Sequence, residues 1–111
     1  MKTYKGKRHP DGCVVVVFDH GYDRESQLNP RHDLRNHSPD GFEWGYGGSG
    51  PAQLALAILA DHHNIPITKE GHWTPVPDYH DFKFDVIAKL PKNEWRITSQ
   101  EIEDWLKARP Q

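Results

Sequence analysis

Apolar residues enter this chain in short runs of changing period, and the period changes mark the elements. Residues 2–8 can run extended into His9-Pro10-Asp11-Gly12, where Pro and Gly supply a turn, and Cys13–Phe18 then reads Cys-Val-Val-Val-Val-Phe. This predicts a β-hairpin. Both faces of its second strand are apolar, so that strand is expected at the centre of a sheet and covered on both sides. Asp19–Gly41 is polar, relieved only by Tyr22, Leu28 and Leu34, and a short strand is expected around Glu25–Asn29 because so long a stretch without structure is unusual in a small domain. Phe42, Trp44 and Tyr46 alternate with Glu43 and Gly45, the period-2 pattern of a strand with one aromatic face.

The second half turns helical. Gly45-Tyr46-Gly47-Gly48-Ser49-Gly50 leads into Pro51, whose fixed φ suits a first helical position, and Ala52–Ala60 (AQLALAILA) is nearly all apolar, the mark of a buried helix. Asp61-His62-His63-Asn64 closes it. A second helix is predicted over Asp78–Leu90, with Tyr79, Phe82, Val86, Ile87 and Leu90 at helical spacing, Pro75 and Pro77 at its entrance and Pro91 at its end. Trp95-Arg96-Ile97 reads as a short strand. Thr98 and Glu101 form a capping box that puts Ile102, Trp105 and Leu106 on the buried side of a last helix. Together these elements give an α+β fold: a small antiparallel sheet, made of the N-terminal hairpin plus two or three short strands, packed with three helices in one domain over residues 1–111.

Composition narrows the setting more than the function. At 111 residues and a formal net charge of −2, with four Trp to pack, the chain is expected to fold as one domain. The single cysteine, Cys13, excludes an internal disulfide framework and a Cys-rich zinc finger and suits a reducing, cytoplasmic setting. No apolar run approaches the roughly 18 residues that span a bilayer, and MKTYKGKRHPDG lacks a signal peptide's apolar stretch, so no membrane partner is expected. A pI near 6.4 argues against a generic nucleic-acid binder. The one basic cluster is Lys2, Lys5, Lys7 and Arg8. On a strand, Lys5 and Lys7 share one face and Lys2 and Arg8 the other, as solvated edge-strand charges do.

The glycine loop is the sharpest chemical feature. It spells G-x-G-x-x-G through Gly45, Gly47 and Gly50, with Glu70 twenty residues further on, which formally satisfies the dinucleotide-binding pattern. The preceding segment is aromatic and polar, Pro66 interrupts the second strand at 65–68, and the chain is too short for a two-half dinucleotide fold, so no cofactor is expected. No Lys follows the last glycine as in a Walker loop, and Pro51 stands where a hydrolase elbow around Ser49 needs glycine. The more general property remains. Glycine-exposed N–H groups at a helix start bind phosphate or carboxylate. The alternative is purely structural, with the glycines permitting positive φ and close packing of the turn.

Here the sequence also becomes familiar. The stretch from His37 through Phe42-Glu43-Trp44-Gly45-Tyr46-Gly47-Gly48-Ser49-Gly50-Pro51 to Leu59 closely resembles the signature of a small uncharacterised family of bacteria, archaea and phages, carried as a domain of unknown function. The likeness continues more weakly through Tyr79-x-x-Phe82-Lys83, Trp95-Arg96-Ile97, Ile102 and Trp105-Leu106. It implies a stand-alone domain, often on mobile elements, and brings no catalytic residues with it.

Other residues offer weaker chemistry. Eight histidines suggest a metal, and His32, His37, Asp40 and Glu43 converge if the polar segment folds back, which would make a metal-assisted hydrolase. His62 and His63 are adjacent and diverge by about 100° on a helix, no H-E-x-x-H appears, and a specific metal site is not expected. His37 beside Asp40 or Glu43 could serve acid–base chemistry. Trp44 and Tyr46 could stack a base, or serve as core aromatics. Trp73, bracketed by Gly71 and Pro75, is the aromatic best placed to anchor a host protein partner. The expected site is therefore a ligand-binding one, made of Trp44, Gly45, Tyr46, Gly47, Gly48, Ser49, Gly50, His37 and Glu43, and directed at a nucleotide or another phosphate-bearing ligand. A protein–protein module, such as an inhibitor of a host system, is the second reading.

Overall fold

His9 and Gly12 pair across the two-residue turn Pro10-Asp11, and this turn sets the register of the N-terminal hairpin. The computed structural model describes residues 1–67 and 75–109. Strands β1 (Lys2–His9) and β2 (Gly12–Asp19) form the hairpin expected from the sequence, and Gly12 takes φ 139°, a value open to glycine and rarely to other residues. Strand β3 (Arg24–Gln27) pairs with β2, and β4 (Glu94–Thr98) pairs with β1. The order is β3-β2-β1-β4, antiparallel throughout. With helices α1 (Ser49–His62), α2 (Tyr79–Asp85) and α3 (Ser99–Lys107), this is the α+β fold that the sequence predicts.

Helix α1 is the core. Gly50 through Ala60 are all buried, as an all-apolar helix requires. Its C-terminal end is tied to the sheet by Asp61, which accepts from the Tyr4 hydroxyl at 2.7 Å and from the Lys2 ammonium at 3.1 Å. Burial first, and then Asp61, hold the Tyr4 hydroxyl in its neutral form. Strand residues Tyr4, Val15, Val17, Trp95 and Ile97 share the core with α1. Helix α3 closes it with Ile102, under the complete Thr98–Glu101 capping box, while Trp105 meets Phe82 edge-on at 5.1 Å and donates its indole N–H to Asp85. Among the described residues no helix is long and apolar enough to cross a membrane.

Four expectations need correction. Residues 42–48 form no strand: Trp44 turns fully inward, and Gly45 at φ 84° breaks the extended run, donating its N–H to the Ile87 carbonyl. The helix over 78–90 stops at Asp85. Val86 leaves helical geometry, and a single 3-10 turn, Ile87–Lys89, carries Ile87 into the core and points its carbonyl at Gly45. The basic strand is interior, since β1 lies between β2 and β4. Its Lys2 and Arg8 lie on the core side, where they pair with Asp61 and Glu43. Strand β2 is interior too, as expected, but it is covered on one side only. Val15 and Val17 are buried, whereas Val14 is 40% exposed and Val16 and Phe18 are half-buried.

Candidate functional site

The N-terminus of α1 is built by close approach. A β-carbon at Gly50 would come within 2.6 Å of Glu43 Cβ, one at Gly47 within 3.0 Å of the Phe84 ring, and one at Gly48 within 2.5 Å of the Tyr46 ring. Glycine at these positions therefore lets the turn lie between two aromatic rings and on top of Glu43. Gly48 caps the helix in extended conformation without a side chain to bond the first turn, and that turn holds no acidic residue. The Ala52 N–H bonds the Gly48 carbonyl, while the amides of Gly48, Ser49 and Gly50 have no acceptor among the described residues. These amides, with the partial positive charge of a 14-residue helix end behind them, form an anion-attracting locus.

The surroundings add cations and rings. Tyr46 is 46% and Phe84 55% exposed, on either side of the glycines. The Lys92 ammonium lies 5.6 Å from the Tyr46 ring centre, and the Lys83 ammonium lies 4.1 Å from that of Phe84. Two aromatic faces and two ammonium groups thus flank the helix start. No spacing in the sequence points to Phe84 or Lys92, and Lys83 enters only with the family likeness. The legible signal was Phe84, an aromatic on the polar side of its helix between Lys83 and Asp85.

Beneath the loop lies a fixed support. Glu43 accepts two hydrogen bonds from Arg8, at 2.7 and 2.9 Å, and this guanidinium holds its carboxyl below the usual carboxylate range. Arg8 also donates to the Lys92 carbonyl, which accepts the Trp44 indole N–H at 2.9 Å, and the guanidinium lies 5.1 Å from the Trp44 ring centre. The Cys13 thiol points at Glu43, and burial pushes its pKa up. Trp44 and Glu43 therefore hold the loop from below. Trp44 is 0% exposed and offers no face to a ligand.

His37 belongs to a different neighbourhood. Its N–H donates to Gln53 Oε1, and its Nε2 is 2.9 Å from the Tyr79 hydroxyl. His80 stacks on Tyr79 with ring centres 4.2 Å apart. Burial lowers the His37 pKa, helped by Arg35, His80 and Lys83. Neither Asp40 nor Glu43 is its partner, so the acid–base pair anticipated from the sequence is not formed. His32 bonds the Ser38 carbonyl, and among the described residues no three His, Cys, Asp or Glu come together as metal ligands. Trp73 lies outside the described residues.

Comparison with known families covers almost the whole fold. A family model described as a family of unknown function, DUF6166, matches residues 4–108. The chain belongs to this family. The match takes in all of α1, α2 and α3 and most of the sheet, so the DUF6166 domain includes the glycine loop together with its Arg8–Glu43 support. No curated protein and no solved structure matches the chain.

Proposed function

We propose that the chain binds a phosphate-bearing ligand, a nucleotide or a nucleic-acid end, at the Gly47–Gly50 turn. The observation that carries this reading is the convergence on one helix start of unbonded amides, two exposed rings (Tyr46 and Phe84) and two ammonium groups (Lys83 and Lys92). Phosphate oxygens accept from the amides and draw charge from the helix end, the lysines neutralise the remainder, and a base stacks on Tyr46 or Phe84 once its lysine turns from the ring to the phosphate. Glu43 does not repel the anion, because both of its oxygens are engaged by Arg8.

The test is thermal unfolding with orthophosphate, nucleoside mono-, di- and triphosphates, and a 5′-phosphorylated oligonucleotide beside its unphosphorylated twin. A ligand that binds only the native state stabilises it by about 2.7 kcal/mol at a hundred times its Kd, which is a readable shift in Tm. Gly48→Asp is expected to abolish the shift. Its carboxylate sits at the cap position and takes the same amides, and the exposed Tyr46 ring has to swing aside, because a β-carbon at Gly48 comes within 2.5 Å of it. A flat response of the wild-type protein to the whole panel overturns the reading.

A further inference from the structure

The alternation of β1, β2 and β4 divides the sheet into two faces of different character. One holds Tyr4, Gly6, Val15, Val17, Trp95 and Ile97 and packs on α1. The other carries Val14, Val16 and Phe18 down its centre, and no described element covers it. Register places Lys7 between Val14 and Glu94, Lys5 between Val16 and Arg96, and Thr3 between Phe18 and Thr98. Lys5, Lys7, Val14, Val16, Glu94 and Arg96 line a shallow concavity of about 570 Å³.

This face is unresolved in two physical senses. Four successive valines and a phenylalanine are the composition of a strand buried on both sides, yet one side is open. Lys5 stands directly opposite Arg96 with Lys7 beside it, and like charges facing each other across a sheet are destabilising. Among the described residues none of these three cations forms an ion pair. Glu94 faces Lys7 across the strands, so the cations left to answer are Lys5 and Arg96, and an occupant that relieves both conditions brings apolar side chains to the valine stripe and carboxylates to that pair.

We infer that the open face of the sheet docks an acidic amphipathic helix of a partner protein. A helix is the element that already packs on the opposite face of this sheet, and an amphipathic one presents apolar and acidic residues together along one side, as the stripe and its cations require. Single-stranded nucleic acid suits the cations less well, because the middle of the stripe is valine, which has no ring face on which a base can stack. A second copy of this chain offers on this face only the carboxylates of Glu25 and Glu94, against the three cations Lys5, Lys7 and Arg96 of each copy. The inference is independent of the phosphate site, which is built on the helix side of the sheet from other residues.

The test is selection from a displayed library of random peptides of about 15 residues, near the length at which isolated helices begin to hold. Wild-type protein serves as bait, with counter-selection on Val14→Glu. Val14 is exposed enough for the change to be tolerated, and Lys5→Glu/Arg96→Glu, a purely surface charge reversal, is a second variant checked by circular dichroism. The expected result is enrichment of peptides with carboxylates and with apolar residues at i, i+3 or i+4 and i+7. These peptides should bind wild type at least about tenfold more tightly than either variant and weaken with added salt. Three results overturn it: no peptide that discriminates wild type from Val14→Glu; fluorescent oligothymidylate bound by wild type and lost in Lys5→Glu/Arg96→Glu, which gives the face to nucleic acid; or a dimer in sedimentation that Val14→Glu dissociates, which gives it to a second copy.

Discussion

Trp95 lays its indole over Gly6, its cross-strand neighbour, so that a β-carbon at Gly6 would collide with the ring. The interior strand β1 therefore needs glycine at this position for a packing reason, although glycine weakens strands in general. The Trp44 ring meets it edge-on, with ring centres 5.5 Å apart. Gly6→Ala is expected to destabilise the fold by about 1–3 kcal/mol, the usual cost of overpacking a tight core. Urea unfolding checks this. Adding Trp95→Leu to Gly6→Ala should cost less than the two single changes summed, because the smaller side chain vacates the space that the methyl needs. Strict additivity would show that the two residues do not share that space.

The site reading divides its residues into those that touch ligand and those that hold the loop, and substitution separates them. Tyr46→Ala and Lys92→Ala alter exposed side chains and should change stability within about 0.5 kcal/mol while shrinking the phosphate-dependent rise in Tm. Trp44→Ala empties the core beneath the loop and should cost about 3–5 kcal/mol. Thermal melts of the three variants with and without phosphate decide the matter. A full ligand response in both Tyr46→Ala and Lys92→Ala would remove these residues from the site.

What the chain revealed in advance follows a physical division. The hairpin was legible because Pro10-Asp11-Gly12 is turn chemistry between two extended runs, and α3 because Thr98 and Glu101 cap it reciprocally, both local effects. The strand expected at Phe42–Tyr46 failed because alternation over five residues says nothing about a pairing partner. Trp44 is instead drawn inward by the distant Lys92 carbonyl. The site was half legible. Glycine spacing marks the helix start, but Lys92 and Phe84 reach it through tertiary contacts that no spacing encodes. The open sheet face was illegible, since Val-Val-Val-Val reads alike whether one side of the strand is covered or both.

Two histidines make stability depend on pH in a defined window. Burial, with Arg35, His80 and Lys83, lowers the His37 pKa, and burial, with His62, lowers that of His63. The unfolded chain, with histidine near 6.5, then binds more protons than the native state as the pH falls below that value. The stabilisation is complete above about 6.5 and is lost as the pH drops towards the depressed native values. Glu43 acts in the same direction but only lower, because its stabilising effect is present above the ordinary carboxylate value near 4.5. Urea midpoints at pH 7.5 and 5.5 therefore isolate the histidines, with the lower midpoint expected at pH 5.5. His37→Gln should reduce the difference between the two midpoints. An unchanged difference would place the proton uptake elsewhere.

Gln53 is the one polar side chain inside the apolar run of α1, and it is fully buried. Its Oε1 accepts from the N–H groups of His37 and Ser38, and its Nε2 donates to the carbonyls of Pro30 and Arg35, so both ends of the amide are satisfied by backbone. One side chain thereby fixes the course of residues 30–38 against the core helix and sets where His37 meets Tyr79. Gln53→Leu keeps the volume but strands two donors and two acceptors in the interior. Each such group costs about 1–3 kcal/mol where water cannot reach it, so a loss of at least about 3 kcal/mol is expected even if the loop partly opens to solvent. Gln53→Glu retains the two accepted bonds, loses both donated ones, and buries a charge with no cation to pair it. It should therefore be no better tolerated than leucine. Urea unfolding gives the cost, and amide hydrogen exchange at His37 and Ser38 shows where it falls, with protection lost there before it is lost in α1. A Gln53→Leu protein within 1 kcal/mol of wild type, with those two amides still protected, would mean that the loop is held by Leu34 and the buried Arg31 instead of by the glutamine.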